Sequence, residues 1–199
     1  IWDGKTTTTP EFDQTANNGE GAYIIDSAAD LAGLAALVNG TAVTPNPAPT
    51  RADANGTYNF VLTSNIDLGG YQWTPIGTSE KPYIGAFYGN GHTISNLKHH
   101  GTEADCYVGL FGYTNNATIK NLTINNVDIK LVADNSWAGG HMGALVGNAD
   151  GTIVIENINV TGDVKIDGDL TQAGAGRIGG VVGGNICTGT IKNVVVNAN

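Results

Sequence analysis

The sequence predicts an all-β fold, a right-handed parallel β-helix (solenoid) with one short N-terminal capping helix. Three observations carry this. An aliphatic residue and a glycine open a short apolar run four times, at Ile84-Gly85-Ala86-Phe87, Val108-Gly109-Leu110-Phe111, Met142-Gly143-Ala144-Leu145 and Ile178-Gly179-Gly180-Val181. Ile-x-Asn-aliphatic follows each opening, at Ile94–Leu97, Ile119–Leu122, Ile155–Ile158 and Ile191–Val194, in steps of 25, 36 and 36 residues. Self-similarity at such a period marks stacked units that bury one continuous core.

The third observation is one of parity. Successive side chains of a strand point to opposite faces, so residues three apart diverge. Ile119 and Leu122 are nevertheless both apolar, as are Ile155 with Ile158 and Ile191 with Val194. Both members of each pair reach one core only if a corner lies between them. Asn96, Asn121, Asn157 and Asn193 stand at that place, and Asn tolerates the left-handed backbone of a one-residue corner. Strands stacked about 4.8 Å apart and bent at such corners form a parallel β-helix, in which corner asparagines can hydrogen-bond up the stack.

The elements follow in order. Residues 1–26 read as an extended lead-in with a short strand at Tyr23–Ile25. A helix is predicted at Ala28–Val38, capped by Ser27, with Asp30 in its first turn and a stop at Asn39-Gly40. Its stripe of Leu31, Leu34, Leu37 and Val38 suits it to cover the first open edge. Residues 41–56 hold three prolines without hydrophobic periodicity and read as a mobile surface loop. Tyr58–Leu62 is a strand that Asn65–Leu68 continues. Repeats fill the chain from residue 83, with insertions at 130–141 and 162–177. The division is thus 1–57 for lead-in, helix and loop and 58–199 for the repeats, in one structural domain. The last rung, Val194-Val195-Val196, carries no covering element, which predicts either a piece of a longer chain or end-to-end self-association.

Composition narrows the partners. The 199 residues are 41% apolar and only 14% charged, with 29 glycines, as suits a turn-rich β protein with a polar surface. A net charge of −9 and a pI near 4.6 exclude nucleic acid as the main partner, because phosphate binding needs clustered Lys and Arg. No apolar run approaches the roughly 20 residues that span a bilayer. The chain opens on Ile1 rather than Met, so an upstream segment is expected. Cys106 and Cys187 fall at different repeat positions and are expected to be unpaired thiols.

These residues resemble the GLUG-motif repeats of bacterial surface and secreted proteins. Gly109-Leu110-Phe111-Gly112 is nearest to the motif, and Gly143–Gly147 and Gly180–Gly183 are looser copies, with an aliphatic replacing the aromatic at Val181–Gly183. The blocks Asn65–Leu68, Trp73–Gly77 and Gly85–Leu97 resemble what precedes such repeats, and residues 2–31 resemble the lead-in of proteins from Bacteroides-type bacteria. The resemblance implies a β-helical scaffold at the bacterial surface or outside the cell, of adhesin type. It implies no particular activity.

Catalytic chemistry finds little support in the residues. His-Glu-x-x-His and Gly-x-Ser-x-Gly are both absent. His99 and His100 are adjacent, so a strand points them apart. Paired acids for glycoside hydrolysis have candidates in Asp163, Asp167 and Asp169 and in Glu103 with Asp105, although Asp163 and Asp167-Gly168-Asp169 also read as turns. No cofactor, metal or catalytic residue is assigned. Aromatic residues remain as ligand contacts: Trp137 in an insertion, and Tyr71 and Trp73 before the first repeat, since aromatic faces stack on sugars. The leading reading is a non-catalytic surface or secreted adhesin-type module that binds glycan or extracellular protein through inserted loops. A carbohydrate-active enzyme on the same scaffold and a structural stalk are the alternatives.

Overall fold

The computed structural model describes residues 1–41, 59–102, 107–132, 140–169 and 176–198. The predicted loop, Glu103, Asp105, Cys106, Trp137 and most of the 130–141 insertion therefore lie outside the described residues. In chain order the elements are β1 (Glu11–Asp13), β2 (Ala22–Ile25), α1 (Ala28–Asn39), β3 (Asn59–Leu62), β4 (Ile66–Asp67), β5 (Ala86–Tyr88) and β6 (Thr93–Thr102). There follow β7 (Tyr107–Val108), β8 (Phe111–Asn115), β9 (Thr118–Val132), β10 (His141–Gly143), β11 (Val146–Asp169), β12 (Arg177–Gly179) and β13 (Val182–Ala198).

The chain is a parallel β-helix. Its main sheet runs β1-β2-β3-β5-β9-β11-β13, and a second sheet stacks β7, β10 and β12. All pairings are parallel except β1 with β2. One register passes through Tyr23, Phe60, Phe87, Ile119, Ile155 and Ile191, which sets coils of 37, 27, 32, 36 and 36 residues. From Tyr23 to Ile155 this column is buried and forms one wall of the core.

The corners are left-handed. Asn96, Asn121, Asn157 and Asn193 have φ of +60°, +58°, +56° and +54°, a region where most residues lose about 1–2 kcal/mol. They do not share one corner, however. Asn193 donates to Asn157 (2.9 Å) and Asn157 to Asn121 (2.8 Å) along one ladder. Asn96 belongs to a second ladder, in which Asn126 donates to Asn96 (3.1 Å) and Asn96 to Asp67 (2.7 Å). Those two bonds run along the edge after the next strand, where Ile94 stacks on Ile124 rather than on Ile119.

The first repeat seen in the sequence is therefore offset by one face from the other three. Phe87 stacks on Ile119, whereas Phe111 stacks on Val146 and on Ile76. The true partner of the Gly109–Gly112 segment is the Trp73–Gly77 block. This explains the odd 25-residue step: it runs from one face to an earlier face of the next coil, while the full coil from Ile94 to Ile124 measures 30 residues.

The N-terminal region belongs to the same core. Ser27 accepts from the Asp30 amide (3.2 Å), and Gly40 closes α1 in the left-handed conformation (φ +73°). Leu31, Leu34 and Ala35 are buried against the end of the core. The sheet edge itself is covered by β1, not by the helix. Expected with the lead-in, β2 is in fact the first parallel rung.

Candidate functional site

Tyr71 and Trp73, adjacent in a block of aromatic sequence, separate in the fold. Trp73 is 1% exposed and donates through Nε1 to the Leu110 carbonyl at 3.1 Å. An enclosed indole gives a sugar no face, so Trp73 is a core residue and is corrected as a ligand platform. Tyr71 is 44% exposed. The turn at Gly69-Gly70, both with positive φ, carries the chain outward just before it.

A third aromatic, which sequence reasoning passed over, completes the group. Trp2 packs edge-on against Tyr71 (centroids 6.2 Å, 87°) and against Trp73 (6.3 Å, 63°). Its placement follows from a local turn. Asp3 accepts from the amides of Lys5 (2.9 Å) and Thr6 (2.7 Å) and from the Thr6 hydroxyl (2.7 Å), while Trp2 donates to the Thr6 carbonyl (2.7 Å). These bonds, the Thr6 amide foremost, lower the Asp3 carboxyl to about 2. Gly4 is required here: with φ +76°, a Cβ on it would stand 2.7 Å from that of Tyr71.

The lead-in then crosses α1 as a strap. The Thr8 amide donates to the Ala29 carbonyl at 3.0 Å, and the Thr8 hydroxyl donates to Asp30. Gly33 makes the crossing possible, since a Cβ there would meet the Thr8 carbonyl oxygen at 1.7 Å. A glycine in mid-helix, about 1 kcal/mol less favourable than alanine, was the available sequence signal for this contact.

Strap, helix and the 72–74 segment enclose a hollow of about 180 Å³, lined by Trp2, Lys5, Thr7, Ala35, Gln72 and Trp73. Gln72 is oriented by the backbone of His100, to which it donates (3.0 Å) and from which it accepts (3.1 Å). His99 and His100 do point apart: His99 is buried with Nδ1 2.8 Å from the Trp73 carbonyl oxygen, and His100 pairs with Asp128 at 2.9 Å.

Two other depressions are polar. A groove of about 780 Å³ beside β1 gathers Glu11, Asp13, Asp26 and Asp30. Asp26 is raised by its hydrogen bond to Asp30 and by that residue's charge. Burial pushes Asp30 up, but hydrogen bonds from Thr8, Ser27 and Asp26 outweigh it and leave the group lowered. A shallower groove of about 290 Å³ holds Asn96, Lys98, Asn126, Asp128, Asp163 and Lys165. Asp163 and Asp167 lie on β11, both exposed. Four residues along a strand separate them by roughly 13 Å, wider than the roughly 6.5–9.5 Å that paired glycosidase acids span. Among the described residues no three His, Cys, Asp or Glu side chains gather in a metal-holding group, and no helix is long and apolar enough to cross a membrane.

Fold and site together define a β-solenoid repeat module with an aromatic hollow at its N-terminal end. Over 206 residues the chain is 33% identical to halomucin of Haloquadratum walsbyi, a stretch that takes in 87% of this chain and 2% of that protein. Over 110 residues it is 34% identical to a protein of Evansella cellulosilytica described as a Gly-rich membrane protein, covering 52% of this chain and 12% of that one. The chain thus spans only a small part of the length of these relatives. No family model matches it, and no solved structure matches it.

Proposed function

We propose that this chain is a non-catalytic module of a cell-surface or secreted protein, built of GLUG-type coils, and that it binds glycan at the Trp2 hollow and the exposed Tyr71 ring that packs beside it. The observation that carries the reading is the pairing of a half-exposed Tyr71 with Trp2 beside a hollow that also holds Lys5, Thr7 and Gln72. Aromatic rings with polar tips suit a ligand that has both C–H faces and hydroxyls. A surface location is supported by the relatives, one named halomucin and the other described as a membrane protein.

A glycan array tests the assignment. Tyr71→Ala is expected to abolish the strongest signals with the far-ultraviolet circular dichroism unchanged, and Trp137→Ala is expected to leave them intact. Loss with Trp137→Ala alone would move the site to the insertion. An array without signal would favour the structural stalk, which the regular 36-residue coils also suit, and released oligosaccharide would make the chain an enzyme.

A further inference from the structure

The hollow beside Trp2 is small. Its volume of about 180 Å³ is close to that of an apolar cavity of about 150 Å³ that encloses one benzene ring. It therefore holds a single six-membered sugar ring and leaves no room for a second in line. Ala32, Ala35 and Ala36 supply one wall. Their spacing of three and four puts them on one face of α1, and a longer side chain there would fill the space.

The polar groups of the lining differ in what they can offer. Gln72 already uses its amide on the backbone of His100. The Lys5 ammonium and the hydroxyls of Thr7 and Thr74 have no hydrogen-bond or ion-pair partner among the described residues. Lys5 is also the one charged side chain among the described residues of the lining. Asp3, two residues before it, turns instead to the amides of Lys5 and Thr6. Glu11, Asp13, Asp26 and Asp30 line the groove beside β1, which shares no residue with the hollow. The strap parts the two: Lys5 and Thr7 face the hollow, whereas Thr8 and Thr9 border the groove, where the Thr8 hydroxyl donates to Asp30. The chain as a whole carries −9, but at physiological salt charges more than about 8 Å apart are largely screened. Local charge therefore decides what the hollow attracts, and there it is positive.

Resting on the assignment of a glycan to this hollow, we propose that its ligand is a single acidic sugar residue. A carboxylate or sulfate on the sugar meets the Lys5 ammonium, while the ring lies between Trp2 and the alanine wall. The hydroxyls of Thr7 and Thr74 exchange hydrogen bonds with those of the ring. Room for one ring suits the end or a branch of a glycan, because an inner residue carries a neighbour on each side. Charge complementarity of this kind selects among ligands more than it adds affinity.

Titration of the full chain with the methyl glycosides of glucose and galactose, and with the uronate and 6-sulfate form of each, tests the proposal. The forms of one sugar differ only at C6, and the indole N–H signal of Trp2 in proton–nitrogen spectra reports occupancy. At least one acidic form is expected to bind about fivefold tighter than its neutral parent, the upper range for an exposed ion pair. Lys5→Gln should erase that difference, Lys5→Arg should keep it, and added salt should weaken the acidic form alone. Whichever of uronate and sulfate binds more tightly identifies the group. Neutral and acidic forms bound alike, or a preference that survives Lys5→Gln, overturns the proposal and leaves the glycan reading standing. No shift of Trp2 with any of these sugars overturns it too, and an array without signal removes the glycan reading with it.

Discussion

Asn157 donates from Nδ2 to the Oδ1 of Asn121, 36 residues earlier, at 2.8 Å, and both sit at left-handed corners with φ of +56° and +58°. One residue type thus meets two demands: it tolerates the corner backbone, and it carries a donor and an acceptor in line with the stack. Aspartate tolerates the corner but lacks the donor, and glycine tolerates it but carries neither donor nor acceptor.

Asn157→Ala is expected to lower unfolding stability by about 2 kcal/mol, combining left-handed strain with loss of two exposed hydrogen bonds. Asn157→Gly keeps the corner and loses only the bonds, so about 1 kcal/mol is expected. Urea denaturation of the pair separates the two contributions; equal losses would show that backbone strain is negligible at this corner.

Gly109, Gly143 and Gly179 are places of close backbone contact. A Cβ on Gly143 would lie 2.4 Å from the Val146 carbonyl oxygen and 2.6 Å from that of Val181. Neither atom can swing away as a side chain does, so Gly143→Ala is expected to cost about 3 kcal/mol. At Gly180 the nearest atom is the Val196 Cγ2 at 3.6 Å, an ordinary contact, and Gly180→Ala should change stability by under about 0.5 kcal/mol. Thermal melts of both variants check the contrast.

Trp73 and Tyr71 should separate in the same way. Trp73→Ala empties a buried indole site and leaves the Leu110 carbonyl with the Ile76 amide as its donor, with an expected loss of about 3–5 kcal/mol. Tyr71→Ala removes a half-exposed ring and should cost about 1 kcal/mol or less. Comparable losses from the two would contradict their different burial.

Acid should release the strap. The Asp3 carboxyl stands at about 2 in the folded chain, below the ordinary 3.8, because its charged form accepts the Thr6 and Lys5 bonds. A lowered carboxylate stabilises the fold above its unfolded value and loses that contribution as pH falls toward the folded one. Trp2 fluorescence is therefore expected to change between about pH 4 and pH 2, and Trp2→Phe identifies the signal. In Asp3→Asn the change should be absent; its persistence would place the titration on another group.

Much of the architecture could be read from particular residues. The parity of Ile119 with Leu122 demands a corner, Asn121 stands in it, and the 36-residue steps between Asn121, Asn157 and Asn193 are true coils. Ser27, Asp30 and Gly40 similarly mark α1 by local chemistry alone. The first repeat misled because Ile94–Leu97 obeys the same corner rule one face further on. A corner is a local event, so its sequence pattern says that the chain turns there but not which edge of the solenoid it lies on. The site was less legible for the same reason: Tyr71 and Trp73 share a sequence block, and only the burial of the indole, whose Nε1 donates to the Leu110 carbonyl, distinguishes them.

By itself the sequence determined the class of fold, the corner positions and the period of the last coils, because backbone handedness and face alternation act over a few residues. Tertiary structure decided which coil each repeat joins, since register depends on pairing between strands 27 to 37 residues apart. It also decided that Trp2 meets Tyr71, which requires the strap to cross α1 at Gly33.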